Sequence, residues 1–339
     1  MLKIYSDELW LPANTNHTVL LYPFWGEIPV PPGEPDTNRF KNFVLNVHTA
    51  VNLVNEPNIA DVFVLPFEYR SDALSLDLAN KAAQSAKRYG KKLIIFFNSD
   101  SPEPIHIENT IVFRTSFYKS ERRKHEYAFP GWSVDFTEAY SNGFFPKKKE
   151  SDPSVCYCGY VNNKRLGLKQ ALKNILVKPK SKSYEYGAYI RGKAVERLLR
   201  NNKIKCDFII RDDFWASQSK GLKETRKEYA NNMLNNPYAL VTRGAGNFSY
   251  RFYEVFSCGR IPVFINTDSV LPFEEFINWK EHMVWVNDTD INSIGEILLD
   301  FHNKISPEAF IELQIRNRKL YEDWLSPLGY FSHLKEYIK

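Results

Sequence analysis

The sequence predicts an α/β protein made of two parallel-sheet domains of similar size that face each other across a cleft. Three observations carry this reading. Short apolar runs alternate with a helical pattern over residues 18–114, a charged, proline-flanked break interrupts the chain at 145–153, and a second alternating series fills 155–265. Strand–helix alternation is the signature of a parallel sheet with helices on its faces. A chain of 339 residues is long enough for two such units.

The elements follow in order. Apolar runs predict strands at 18–22, 61–66, 92–97 and 110–114. Between the second and third, the Ala/Leu/Lys-rich stretch 71–89 has helical spacing and ends at Gly90, a C-terminal stop signal. Residues 145–153, Phe-Pro-Lys-Lys-Lys-Glu-Ser-Asp-Pro, lack apolar periodicity and read as a linker. Beyond it, strands are predicted at 155–160, 206–210, 239–242 and 261–265, and helices at 164–176, 186–200, 222–234 and 250–257. A last helical stretch, 307–330, is interrupted near Pro327. The resulting division is 1–148 for the first domain, 149–310 for the second, and 311–339 for a helical segment expected to pack back on the first. Ligands of open α/β sheets bind outside the carboxyl ends of the strands, so the cleft is the expected site.

Composition narrows the function classes. Hydrophobic residues make up 43% and charged residues 25%, as in an ordinary globular protein. Aromatics reach 15%, which suits stacking on bases or sugar rings and equally a Phe-rich core. The net charge of +5 suits a phosphate-bearing ligand but is too small and dispersed for nucleic acid. The basic runs 147–149 and 178–182 sit beside prolines and read as solvated loops. Cys156, Cys158, Cys206 and Cys258 have neither zinc-knuckle nor redox spacing and read as reduced packing residues. The N-terminal residues form no apolar leader, and the longest strongly apolar run, 93–97, is far too short to span a bilayer. The expectation is a cytoplasmic protein without a transmembrane segment, with peripheral membrane association left open.

Chemistry concentrates in ALVTRGAGNFSYRFYEVFSCGRIPVFINTD, residues 239–268. A short strand leads into Thr242-Arg243-Gly244-Ala245-Gly246-Asn247-Phe248, and Ser249 stands where a helix N-cap belongs. A strand, a glycine loop and a helix start together offer backbone N–H groups and a positive helix end to a diphosphate. Arg243 and Arg251 add fixed cations with bidentate donors. Glu254, one turn later, would repel phosphate but suits ribose hydroxyls. A lone Gly-x-Gly is also an ordinary tight turn, and a helix carboxylate is also an ordinary surface group.

These residues resemble the exostosin family, glycosyltransferase family 47. The resemblance lies in Ser249-Tyr250-Arg251-Phe252-Tyr253-Glu254 followed by Gly259-Arg260-Ile261-Pro262-Val263, and in Asp268 with Leu271-Pro272-Phe273 and Ile277-Asn278-Trp279. Weaker anchors are Ala60-Asp61-Val62-Phe63-Val64-Leu65-Pro66 and Cys158-Gly159-Tyr160 with Arg165. The resemblance implies a GT-B type architecture, two Rossmann-like domains with an inter-domain cleft. It implies an inverting transferase that moves a sugar from a nucleotide-sugar, most often UDP-linked, to a glycan or glycoconjugate acceptor. The donor would sit on the second domain, with Arg251 as a diphosphate contact and Glu254 as a ribose contact. Many eukaryotic members carry an N-terminal anchor, and its absence here points to a bacterial or viral member with a cytoplasmic acceptor.

Other residues complete the expected site. Arg165 and Arg211 follow strands of the second domain and could reach the diphosphate or form surface salt bridges, whereas Arg191 and Lys193 read as helix-surface charges. An inverting displacement needs a general base on the first domain. Glu68, directly after the 61–66 strand, is preferred narrowly over Asp100, after the 92–97 strand; Glu103, Glu126 and Asp135 are more distant candidates. No cofactor or metal is expected. Asp288-Thr289-Asp290 has a metal-binding form but precedes a helix start and reads as capping, and Asp212-Asp213 has no further support. Tyr22-Pro23-Phe24-Trp25 and Phe129-Pro130-Gly131-Trp132 read as core packing or as acceptor platforms. Rival readings are a GDP-sugar transferase of fucosyltransferase type and a non-catalytic glycan- or nucleotide-binding relative. A Rossmann oxidoreductase is disfavoured, because Ser249 stands where a third glycine is needed.

Overall fold

The structure, a computed structural model, describes residues 1–26, 46–161, 182–211 and 221–338. The expected helix 164–176, Arg165, residues 178–181 of the second basic run, and Asp212-Asp213 lie outside the described residues.

Two parallel sheets form the frame. The first has six strands in the order β2-β1-β3-β4-β5-β6. They are β1 (Leu2–Tyr5), β2 (Val51–Leu53), β3 (Val62–Val64), β4 (Leu93–Phe97), β5 (Thr110–Arg114) and β6 (Glu126–Ala128). The second has five in the order β11-β10-β9-β7-β8. They are β7 (Ser154–Tyr160), β8 (Lys205–Arg211), β9 (Tyr238–Val241), β10 (Ile261–Asn266) and β11 (Val284–Asn287). Every pairing between these strands is parallel. Each sheet has one place where the strand order reverses: between β1 and β3 in the first, and between β7 and β9 in the second. Such switch points open a crevice at the strands' carboxyl ends.

Local sequence explains the elements. β4, Leu-Ile-Ile-Phe-Phe, is buried at all five positions, as a strand covered on both faces must be. The expected strand at 18–22 is instead a 3-10 turn, Val19–Leu21, running into α1 (Tyr22–Trp25). Pro23 is the reason, since its fixed φ suits a first helical turn and it cannot donate to a sheet ladder. α2 (Ala73–Arg88) starts at Asp72, whose carboxylate accepts from the Ser75 amide at 2.7 Å, and buries Ala79, Ala82, Ala83 and Ala86. Gly90, at φ +68°, supplies the left-handed turn that ends it.

The remaining α-helices among the described residues are α3 (Phe136–Tyr140), α4 (Tyr184–Leu199), α5 (Leu222–Asn235), α6 (Tyr250–Ser257), α7 (Ile294–Lys304), α8 (Pro307–Leu320) and α9 (Pro327–Ser332). A π turn, Tyr321–Leu325, joins the last two. Asp288 and Asp290 do not cap an α-helix. They lie inside a 3-10 turn, Asp288–Ser293, whose N-cap position is Asn287 and which hands over to α7.

One apolar cluster spans both sheets. It runs from Ile4, Val64, Phe96 and Phe113 of the first, through Phe129, Trp132 and Phe136, to Phe252, Phe256 and Phe264 of the second. The 129–132 segment is therefore core and not an exposed platform: Phe129 and Trp132 are buried, and their rings meet Tyr330 and Phe331. Tyr22 is buried too, with Phe24 and Trp25 packed partly buried against the same cluster. The C-terminal segment lies on the first sheet. Trp132 Nε1 donates to the Leu325 carbonyl at 2.7 Å, Tyr330 Oη donates to the Ala128 carbonyl at 2.8 Å, and the Tyr127 and Tyr337 rings stand 4.0 Å apart.

The linker is largely exposed, as expected for a solvated loop, yet it is pinned at Phe145 and Lys147. Lys147 donates its backbone N–H to Gln314 Oε1 and accepts from Gln314 Nε2, both at 2.8 Å, and burial lowers the pKa of its ammonium. Arg260 reaches the Phe145 carbonyl at 3.0 Å.

Candidate active site

The crevice between β7 and β9 gathers the cations that sequence spacing scatters. Arg251 lies in the first turn of α6, the helix that follows β9. Its guanidinium carbon stands 4.3 Å from the centroid of the Tyr157 ring on β7, one Nη donates to the Cys158 carbonyl, and Nε donates to Tyr229 Oη at 3.1 Å. A guanidinium stacked on one ring and bonded at two corners has little rotamer freedom left. Arg191 of α4 straps the same crevice. It donates to the Tyr160 carbonyl at 3.1 Å, to Thr242 Oγ1 at 3.3 Å and to the Arg243 carbonyl at 3.1 Å, tying the end of β7 to the loop after β9. Arg191 is thus not a helix-surface charge, and burial lowers its pKa.

Glu254 is buried within α6. Arg226 donates to its Oε1 at 3.1 Å and the Tyr229 hydroxyl donates to its Oε2. Burial raises the Tyr229 pKa, so the phenol stays protonated and able to donate. The surface-carboxylate alternative for Glu254 does not hold. The carboxylate anchors Tyr229, which in turn bonds Arg251. Arg226 extends the network to the first domain, donating to Ser133 Oγ at 2.5 Å and stacking on Phe136 with 4.7 Å to the centroid.

The glycine loop has other partners than a phosphate. The Gly244 N–H donates to the Phe248 carbonyl at 2.8 Å, the Gly246 N–H to Asp100 Oδ1 at 3.0 Å, and the Asn247 N–H to Ser116 Oγ at 2.9 Å. The Asn247 side chain donates to the Phe117 and Asp268 carbonyls and accepts from Thr267 Oγ1 at 2.6 Å. Arg243 donates to Tyr118 Oη at 2.8 Å and to the Ala245 carbonyl at 2.6 Å. The loop is thereby sewn to the first domain. Its glycines answer to close backbone approach: a Cβ on Gly246 would stand 2.6 Å from Asp100 Oδ1, and one on Gly187 of α4 would stand 2.1 Å from the Gly244 carbonyl oxygen.

Ser249 holds the N-cap position of α6 with an extended φ of −149°, but its side chain makes no capping hydrogen bond. Its carbonyl accepts from the Phe252 N–H at 3.2 Å. Tyr250 is exposed, and its ring pairs with Phe248 at 5.5 Å and leans on Gly131. Arg211 ends β8 and is held by the Thr225 carbonyl at 2.9 Å and by Glu228 at 3.2 Å.

On the first domain, Glu68 is half-buried just beyond β3, beside the β1–β3 switch point. Asp100 lies beyond β4, one strand further out, and is occupied by the Gly246 amide. Glu126 forms a buried ion pair with Arg114 at 3.1 Å, and Asp135 caps α3 and pairs with Arg318 at 2.8 Å. Both are structural. Glu103 is exposed and takes part through its carbonyl, which accepts from Arg114 at 2.8 Å.

Asp288 accepts from Tyr186 Oη at 2.5 Å, and Asp290 accepts from Asn287 Nδ2 at 3.1 Å. Among the described residues, no group of three or more His, Cys, Asp and Glu gathers in metal-holding geometry, and no helix is long and apolar enough to cross a membrane. All four cysteines are free thiols.

Sequence reasoning missed Tyr229, Arg226 and the role of Arg191. The first two stand three apart on α5, so they share one helix face, and that spacing was the available signal.

The class defined by this architecture is the Rossmann-like α/β protein with two parallel sheets and an arginine fixed at a switch point. Residues 136–301 match the family model described as the exostosin GT47 domain. The chain is 33% identical over 107 residues to an exostosin-1 homolog of Caenorhabditis elegans, covering 32% of this chain and 27% of that protein. It is 29% identical over 103 residues to exostosin-1 of Drosophila melanogaster, covering 30% and 13%. It is 30% identical over 92 residues to a probable glycosyltransferase of Arabidopsis thaliana, covering 27% and 17%. The matched stretches therefore span about a quarter or less of these relatives' own lengths. The family match at residues 136–301 and the exostosin-1 relatives support the resemblance to the exostosin-like glycosyltransferases of family 47 that the 249–263 motif carries.

Proposed function

We propose that the chain is an inverting, metal-independent glycosyltransferase of GT-B type that moves a sugar from a UDP-sugar to a glycan hydroxyl. The carrying observation is Arg251, fixed by Tyr157, the Cys158 carbonyl and Tyr229 at the β7–β9 switch point. A rigid cation at the carboxyl edge of a parallel sheet is placed to hold a diphosphate and to stabilise it as it leaves. Arg211, at the end of the neighbouring strand β8, lies on the same edge. Arg165 remains part of the proposal from sequence alone.

The reaction is a single displacement at the anomeric carbon. The acceptor oxygen forms the new bond as the bond to the nucleoside diphosphate breaks, and the acceptor proton passes to a carboxylate. Glu68 suits the base role better than Asp100. It follows β3 at the first sheet's switch point, whereas Asp100 follows β4, one strand further from it. Glu254 serves this reading as the anchor that aims Arg251, through Tyr229, and not as a group open to ribose.

Thermal-shift binding of UDP, GDP, CMP and ADP without added metal tests the proposal. UDP alone should raise the melting temperature by mass action. A shift with GDP alone moves the donor to the fucosyltransferase-like class, and no shift with any nucleotide overturns the transferase reading. Glu68→Gln should lower transfer at least about 100-fold while the UDP shift persists. Near-normal turnover in that variant removes Glu68 from the base role.

A further inference from the structure

A second concavity lies on the same carboxyl edge of the second sheet, at the β10–β11 end. It is a groove of about 620 Å³ lined by Asn266, Asp268, Phe276, Asn278, Lys280 and Trp285 among others. A cavity of that size suits a small organic ligand.

Its wall is built by strand register. β10 pairs with the edge strand β11 so that Phe264 faces Trp285 and Asn266 faces Asn287. Alternation puts Trp285 and Asn287 on one face, while Val284 and Val286 are buried on the other. The half-buried Trp285 indole meets Phe264 at 5.2 Å and is covered by a Lys280 ammonium 5.6 Å from a ring centroid. Lys280 is exposed, so a ligand ring can displace it. Beside the indole stand three carboxamides. Asn287 Oδ1 accepts from Asn266 Nδ2 at 3.3 Å and from Trp285 Nε1 at 3.1 Å, its Nδ2 donates to Asp290 at 3.1 Å, and Asn266 Oδ1 accepts from the Ser269 N–H at 3.0 Å. Asn278 Nδ2 bonds Glu281 Oε1 at 2.6 Å, and each of the three amides keeps a second N–H to offer. An aromatic face flanked by planar amides is the chemistry that recognises a pyranose: apolar C–H faces stack, and equatorial hydroxyls take the amides.

The charges select among sugars. Glu274 is bonded by Lys119 at 3.1 Å and Arg122 at 2.8 Å, Glu275 by Arg122 at 2.8 Å, and Asp268 accepts from Ser120 Oγ at 2.5 Å. The groove's own lining sets Lys119 and Lys280 against Asp268, Glu274 and Glu275, and Glu281 stands beside Asn278, so the local field disfavours a sulfate or uronate. The groove adjoins the proposed site, since the Asp268 carbonyl accepts from Asn247 of the loop that meets Asp100.

The geometry points to a saccharide subsite here, holding an uncharged stretch of the acceptor glycan. Only the acceptor role rests on the transferase reading; binding does not.

The test is calorimetric titration of the full chain with cellohexaose, xylohexaose, chitohexaose and mannohexaose, against hexagalacturonate and a heparin hexasaccharide as charged probes. At least one uncharged hexamer should bind. Trp285→Ala should weaken it about tenfold or more, and Asn278→Ala, on an exposed loop where folding is not at stake, about threefold. Trp285→Phe covers the case in which the alanine variant does not fold, and it should retain partial affinity. The UDP thermal shift should persist in all three. The inference is overturned if only charged hexamers bind, if no hexamer binds while UDP still shifts the melting temperature, or if both Asn278→Ala and the folded Trp285 variants bind as the parent does. Uncharged binding lost in the variants, with no nucleotide shift in the parent, keeps the groove and removes the transferase.

Discussion

The loop 242–248 and the helix α6 are neighbours in one motif, and the sequence offers both as phosphate holders. The structure separates them. The loop's amides bond Phe248, Asp100 and Ser116, and its arginine bonds Tyr118. The helix carries Arg251 at the β7–β9 crevice, braced by two aromatic rings. Glycine in such a loop is therefore no witness to phosphate by itself. Gly246 is demanded by Asp100, whose Cα would stand 2.9 Å from an added Cβ.

The largest test of this contrast is Arg251→Ala. It should lower transfer by about 100- to 1,000-fold and abolish the UDP thermal shift. Arg251→Lys should recover only part, because an ammonium lacks the planar fork. Turnover within about threefold of the parent would break the contrast. Gly246→Ala should instead act on folding, costing about 1–3 kcal/mol in a urea midpoint while nucleotide affinity in the folded protein stays. Adding Asp100→Ala should relieve only part, since backbone also blocks the space.

A finer probe is Tyr229→Phe, which keeps the ring and removes the hydroxyl shared by Glu254 and Arg251. One such hydrogen bond is worth about 1 kcal/mol, so the UDP dissociation constant should rise roughly fivefold. Unchanged affinity would mean that Arg251 is held without Tyr229.

The smallest effect concerns pH. His302 is buried between Tyr238 Oη at 3.0 Å and the Glu150 carbonyl at 2.9 Å, and burial lowers its pKa from the ordinary 6.5. The unfolded chain then binds the proton more readily than the folded one. Its contribution is complete above about pH 6.5 and declines as pH falls toward the lowered folded value. His302→Gln should flatten the stability profile there, and an unchanged slope would clear His302.

Long apolar runs made the central strands legible. β4 and β5 are nearly all buried, and α6 appears at the expected residues 250–257. β1, β2, β6 and β11 were not legible, because each has three or four residues with an exposed or half-exposed position among them. The apolar run at 18–22 misled, since Pro23 turns it into helix. In the site, Arg251 was legible from its motif. Its braces were not: Tyr229 lies 22 positions away on a mostly polar helix, and Tyr157 lies across the sheet. Such contacts are set by strand order, which residue spacing does not encode.

The C-terminal segment also has a consequence for biosynthesis. Trp132, Phe96 and Phe113 of the first half are covered by Tyr330, Phe331 and Tyr337. Those covering residues are synthesised long after the strands they cover, Tyr330 reaching Ala128 across a separation of 202 residues. The first sheet therefore stays uncovered on that face until the second sheet has also been made, and it cannot mature as an independent unit ahead of it.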